Sequence, residues 1–146
     1  MMLNASVSSN VLSAFEDMRL GKGPNRKFLV LQMHEGSIEL DDALNQFSTL
    51  DELTSHLPNN SSRFICYHMS FEMPSTGNGP REGQRTKMVF IVWCPPQTNV
   101  KEKFQLAATV KTVKSHLNGL SVTLQTGTKD EVTEQEMIEK CLAFMK

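Results

Sequence analysis

The sequence predicts an α/β (α+β) fold, with a single mixed β-sheet of about five strands flanked by helices. Three observations carry this. First, the longest apolar run is Met88-Val89-Phe90-Ile91-Val92-Trp93-Cys94, closed by Lys87 and Pro95. It is far shorter than the ~20 residues of a membrane-spanning helix and reads as a buried strand. Second, strand-like segments alternate with helical stripes in the order α-β-β-α-β-β-α-β-α. Third, the longest helical segment lies between two strands. Such a connection usually makes them parallel neighbours by a right-handed crossover, giving a mixed sheet with helices on its faces. A length of 146 residues at ~150 per domain gives one domain, 1–146.

The first helix is signalled by Val11, Ala14/Phe15 and Met18 at i, i+3/i+4, i+7, with Ser8 or Ser9 as N-cap and Gly21 and Gly23-Pro24 as its stop. Two strands follow, Lys27–Met33 and Ser37–Leu40, joined by the turn His34-Glu35-Gly36. Phe47, Leu50, Leu53 and Leu57 form the next helical stripe, ended by Pro58-Asn59-Asn60. Arg63–Phe71 and Thr86–Trp93 are strands on either side of the turn-rich loop Pro74–Pro80, and Pro95-Pro96 ends the second. Val100–Leu117 is the long helix, with Leu106, Val110, Val113 and Leu117 on its stripe and Asn118-Gly119 after it. Leu120–Gln125 alternates apolar and polar residues, a strand with one solvated face. The last helix opens with Thr133 and Glu136 in capping-box spacing, with Val132 and Met137 placed as a hydrophobic staple.

Composition narrows the function. Fifteen Lys and Arg against sixteen Asp and Glu give a formal charge of −1, so no blanket attraction to nucleic acid or an anionic membrane is expected. The N-terminus has no basic segment followed by an apolar core, and no signal peptide is expected. Cys66, Cys94 and Cys141 are an odd number without C-x-x-C spacing, which suits thiols in a reducing cytosol.

The sequence carries few catalytic patterns. Gly77–Gly83 superficially suggests a phosphate loop, but its spacing does not fit G-x-G-x-x-G and it leads into a strand. The plain reading is a hairpin loop; the competing one is a small hydrolase or nucleotide-binding enzyme using that loop. His34, His56, His68 and His116 lack metal-ligand spacing, so neither a metal site nor a cofactor is expected. Asp41-Asp42 at a strand end reads as a solvated turn, and Cys94 as a packed thiol without a basic partner. No catalytic residue is expected.

The charge is unevenly spread. Lys101, Lys103, Lys111 and Lys114 mark the long helix, where Glu102 is the single acid, and Arg85 and Lys87 start the central strand. At ~100° per residue, Lys103, Lys111 and Lys114 fall within a narrow arc beside the apolar stripe. Such a strip can steer an acidic partner and fix its register, or can simply be a solvated face.

The run Met88–Pro95, ending in Trp-Cys-Pro, together with Val100-Lys101-Glu102-Lys103-Phe104 and Leu117-Asn118-Gly119, resembles the actin-depolymerising factor/cofilin family. Ala14–Lys22 matches that family's first helix and its exit, and Leu57-Pro58, Tyr67 and Glu72 fall at family-like places. The resemblance runs from about Ala5 to about Leu142 and implies the actin-depolymerising factor homology fold, with no enzymatic site.

It further implies binding to actin monomers and filaments through the N-terminal segment (Ala5, Ser6, Val7) and the long helix (Lys101, Lys103, Lys111, Lys114). A second, filament-binding surface would use Arg85, Lys87, Glu139 and Lys140. Filament severing and depolymerisation, a cytoplasmic place on the actin cytoskeleton and competition by phosphoinositides follow as family traits. The chain is expected to be monomeric, without a nucleic-acid partner or transmembrane segment. Two departures stand out. Leu106-Ala107-Ala108-Thr109-Val110-Lys111 replaces the family's Tyr-Ala-Ser-Ser-Lys-Asp, moving a positive charge by one position. Leu3 stands where the family has a regulatory serine, with Ser6 only nearby. A sister reading keeps the fold but resembles coactosin or glia maturation factor, which bind filaments or the branching complex without severing.

Overall fold

The computed structural model describes residues 6–22, 27–72 and 84–144. Ala5, Gly23-Pro24 and the Gly77–Gly83 loop lie outside the described residues.

The elements are β1 (Ser6–Val7), α1 (Ser9–Leu20), β2 (Phe28–His34), β3 (Ser37–Leu40), α2 (Asp42–Asn45), α3 (Leu50–His56), β4 (Arg63–Glu72), β5 (Gln84–Trp93), α4 (Val100–His116), β6 (Leu120–Thr126) and α5 (Glu134–Phe144). A single 3-10 turn, Lys129–Glu131, precedes α5. The strands form one sheet in the order β1-β3-β2-β4-β5-β6. β2–β3, β2–β4 and β4–β5 are antiparallel, while β1–β3 and β5–β6 are parallel. The β5–α4–β6 connection therefore makes the parallel pair that its length demands.

The long central strands β4 and β5 divide the interior. On β5, Met88, Phe90 and Val92 face one side with Val11, Phe15, Met18, Leu106 and Val113, so α1 and α4 cover that face. Val89, Ile91 and Trp93 face the other side with Leu44, Leu53, Met137 and Cys141, under α2, α3 and α5. Period-2 alternation buried on both sides produces the continuous apolar run of β5. Each such side chain taken out of water contributes roughly 1.5–3 kcal/mol. Phe64 and Phe90 stack across the β4–β5 pair with ring centroids 5.5 Å apart, a contact worth about 1 kcal/mol beyond its area.

Local chemistry sets the helix ends. Ser8 is the N-cap of α1, accepting from the Val11 N–H at 3.3 Å. Gly21, at φ 72°, ends the helix: its N–H donates to Met18 O and that of Lys22 to Asp17 O, a Schellman closure that only a residue at ease with positive φ forms cheaply. Thr49 and Glu52 form a reciprocal capping box on α3. Thr133 Oγ1 accepts from the Glu136 N–H at 3.1 Å, and Val132 and Met137 are both buried, as the staple spacing requires. Gly127 is required sterically, because a Cβ there would sit 2.4 Å from the Cys94 carbonyl oxygen.

The structure adds one short strand to the expected sheet of about five and corrects three other expectations. The sheet has a sixth strand, the two-residue β1, which hydrogen-bonds Ser6 N to Gly36 O and Ser8 N to Ile38 O. Phe47 lies before α3 and stacks on His56 at 4.3 Å rather than belonging to the helical stripe. Asp41 is no solvated turn: it is 6 % exposed and caps α2, accepting from Leu44 N at 3.0 Å. On α4 the innermost residues are Leu106, Thr109 and Val113, with Val110 only half-buried. Thr109 is tolerated there because its hydroxyl donates to the Gln105 carbonyl one turn back.

Candidate interaction surface

The site is built on α4. Pro95-Pro96 stops β5, and Asn99 then caps the helix, its side chain accepting from the Glu102 N–H at 2.7 Å. Leu106, Thr109 and Val113 anchor one side of α4 to the sheet. The opposite side is open. Lys101, Lys103, Lys111 and Lys114 are all exposed, and Lys103 Nζ donates to the Pro96 carbonyl at 3.2 Å.

Two large apolar side chains share that open side. Phe104 is 73 % exposed and Val100 is 69 % exposed. At about 100° per residue, Val100, Phe104 and Lys111 lie within about 40° of one another, opposite the buried stripe. An exposed Phe gains nothing for folding, so this side of α4 presents apolar surface beside lysines without burying it in the fold. The sequence did not single out Val100 and Phe104 as exposed apolar residues on this side of the helix. The available signal was that Phe104 falls off the Leu106–Val113 stripe, where an aromatic has no core to enter.

The first turn of α4 is fastened to the start of β4. Glu102 Oε2 accepts from the Ser62 backbone N–H at 2.5 Å, from Ser62 Oγ at 2.6 Å and from Ser61 Oγ at 3.3 Å. Arg63 extends the chain: its Nη1 donates to Ser61 Oγ at 2.7 Å and its Nε to Asp41 Oδ2 at 2.7 Å. These groups border an open polar groove of about 310 Å³, lined among others by Gln32, Arg63, Lys101, Glu102 and Gln105.

At the far edge of the sheet, Ser6 is exposed and Val7 half-buried on β1, Val7 packing on the same face as α1 and α4. Lys87 is half-buried on β5 and lies on the opposite face, close enough to Cys141 of α5 to favour its thiolate slightly. Burial nonetheless holds the Cys141 thiol above its usual range. Glu139 and Lys140 are exposed on α5. Of Arg85, the backbone position in β5 is described. The expected residues thus fall into two groups on opposite faces, Val7 with the α4 lysines and Lys87 with α5. They are not brought into one site.

Cys66 is fully buried and burial pushes its thiol up, the opposite of an activated nucleophile. Tyr67 is raised chiefly by burial and then by the Glu134 carboxylate, to which its hydroxyl donates at 2.5 Å. Among the described residues, no three His, Cys, Asp or Glu gather as a metal would need. No helix among them is long and apolar enough to cross a membrane.

The architecture is a mixed sheet sandwiched by helices, with a charged helix that displays two exposed apolar residues. The family described as cofilin/tropomyosin-type actin-binding protein matches residues 4–142, and the chain belongs to it. Actophorin of Entamoeba histolytica is 27% identical over 147 residues, covering 99% of this chain and 100% of its own. Two solved structures share the fold. Streptomyces griseoflavus cofilin has TM-score 0.75 at 20% identity, covering 94% of this chain and 96% of its own. Human coactosin-like protein has TM-score 0.75 at 10% identity, covering 95% and 98%.

Proposed function

We propose that this protein binds actin, as monomer and filament, and promotes filament severing and depolymerisation in the cytoplasmic actin cytoskeleton. Membership of the cofilin/tropomyosin-type family supports actin as the partner. The observation that carries the reading is the open side of α4, where Phe104 and Val100 stand exposed beside Lys103, Lys111 and Lys114. An apolar anchor gives affinity, and surrounding lysines steer an acidic surface into register. Ala5, Ser6, Val7 and Lys101 complete this proposed monomer- and filament-binding surface.

The proposed filament-specific surface uses Arg85, Lys87, Glu139 and Lys140. Lys87 and α5 lie on the sheet face opposite α4, so one molecule could touch two neighbouring subunits. A ligand that prefers one filament geometry shifts the population toward it, and its boundaries with bare filament become weak points. Anionic phosphoinositide headgroups would compete through the same lysines.

A coactosin-like reading, in which filaments are bound without severing, draws on the equal fold likeness to the human coactosin-like protein. Co-sedimentation with actin filaments separates the two. A severing protein co-sediments and raises the unsedimented actin; a coactosin-like one co-sediments without doing so. Absence of binding at low salt to both monomer and filament refutes the proposal.

A further inference from the structure

We infer that Glu102 is a positioning residue for the α4 surface, an inference that rests on the actin-binding reading above. Glu102 is flanked in sequence by Lys101 and Lys103, yet among the described residues it forms an ion pair with neither. Adjacent helical residues point about 100° apart and cannot face each other. Its carboxylate turns instead to the start of β4, where one oxygen takes three hydrogen bonds from Ser61 and Ser62.

One of those donors is the backbone N–H of Ser62, a residue 3 % exposed. A charge-assisted bond to a backbone group is short and directional, so it fixes the rotation and height of the helix turn that carries the carboxylate. The same turn carries Lys101, Lys103 and Phe104. Through Arg63 the fastening continues to Asp41, the N-cap of α2 on the other face of the sheet. Glu102 thus ties the exposed turn to rigid structure and leaves both lysine charges uncompensated for a partner.

The test compares Glu102→Ala, Glu102→Gln and Lys101→Glu/Lys103→Glu with the unsubstituted chain, by titration of monomeric actin and by amide hydrogen exchange. Gln keeps an oxygen that accepts from Ser62 but removes the charge. Glu102→Ala is expected to bind actin about tenfold more weakly, the loss of roughly one charge-assisted hydrogen bond. Its exchange should quicken about tenfold at residues 103–106 and stay unchanged in β4 and β5. Glu102→Gln should remain within about threefold of the parent in both readouts.

If Glu102→Gln binds as poorly as Glu102→Ala while its exchange at residues 103–106 matches that of the parent, charge rather than position is at work and the inference is overturned. Binding by Glu102→Ala within threefold of the parent, while the lysine reversal loses binding, overturns it and leaves the actin surface intact. Full binding by all three variants overturns the actin surface and the role of Glu102 together. Unchanged exchange in the first turn of α4 contradicts the inference without reference to actin.

Discussion

Arg63 Nε donates to Asp41 Oδ2 at 2.7 Å, joining the first residue of β4 to the N-cap of α2. Both side chains are largely removed from water, 18 % and 8 % exposed. Each is also committed elsewhere, Asp41 to the Leu44 N–H and Arg63 to Ser61 and the Ser62 carbonyl. Asp41→Ala should therefore cost about 2–4 kcal/mol, since it strands a half-buried guanidinium and removes a helix cap. Arg63→Ala should cost about 2–3 kcal/mol, and the double variant less than the sum. Urea unfolding followed by Trp93 fluorescence reads this cleanly, because Trp93 is the single tryptophan and is 1 % exposed, with its indole N–H on the Pro58 carbonyl. Strict additivity would show that the pair is not coupled.

Tyr67 is the single tyrosine, so tyrosinate absorbance reports on it alone. Its folded-state pKa is raised by burial and by Glu134, so the folded protein keeps the proton where the unfolded chain releases it. The contribution to stability is whole below pH about 10, and stability then falls as pH rises further. No tyrosinate signal is expected from the native protein near pH 10, and Tyr67→Phe should abolish that part of the alkaline fall. Removing the hydroxyl should itself cost about 1 kcal/mol at neutral pH. A native tyrosinate transition at the ordinary pH contradicts the buried Tyr67–Glu134 bond.

Phe104→Ser separates function from folding. With the ring 73 % exposed, global stability should change by no more than about 0.5 kcal/mol. Actin affinity should fall by about 2 kcal/mol, the scale of an aromatic anchor at the centre of an interface. Undiminished affinity would remove Phe104 from the proposed surface.

Arg85→Glu with Lys87→Glu addresses the opposite face. Filament co-sedimentation should weaken by about tenfold or more, the scale of reversed interface charge, while monomer binding stays within about threefold. Equal weakening of both would mean that the two faces do not divide the work.

Much of this architecture was legible because its elements obey simple periods. The β5 run, the α1 stripe, the Thr133 cap and the parallel crossover through α4 follow from spacing alone. What escaped detection depends on partners distant in sequence. Asp41 looks like a turn residue until Arg63 and the Leu44 N–H meet it. β1 is too short to show any period and exists only because the exposed edge of β3 offers it hydrogen bonds. Thr109 is buried on α4 while Val110 packs only partly against the core, a difference that a stripe drawn on apolar identity ignores. The lysines of the proposed site could be named from the sequence, but the apolar exposure of Val100 and Phe104 needed the open side of α4 to be seen.

The central claim is that α4 binds actin, and titration of labelled monomeric ADP-actin and ATP-actin with the parent chain and Lys101→Glu/Lys103→Glu tests it most directly. The parent should bind, and the double reversal should weaken binding by at least about a hundredfold, or several kcal/mol. Circular dichroism and the unfolding midpoint should be unchanged, because both lysines are exposed. Equal affinity of parent and variant would contradict the assignment of this helix.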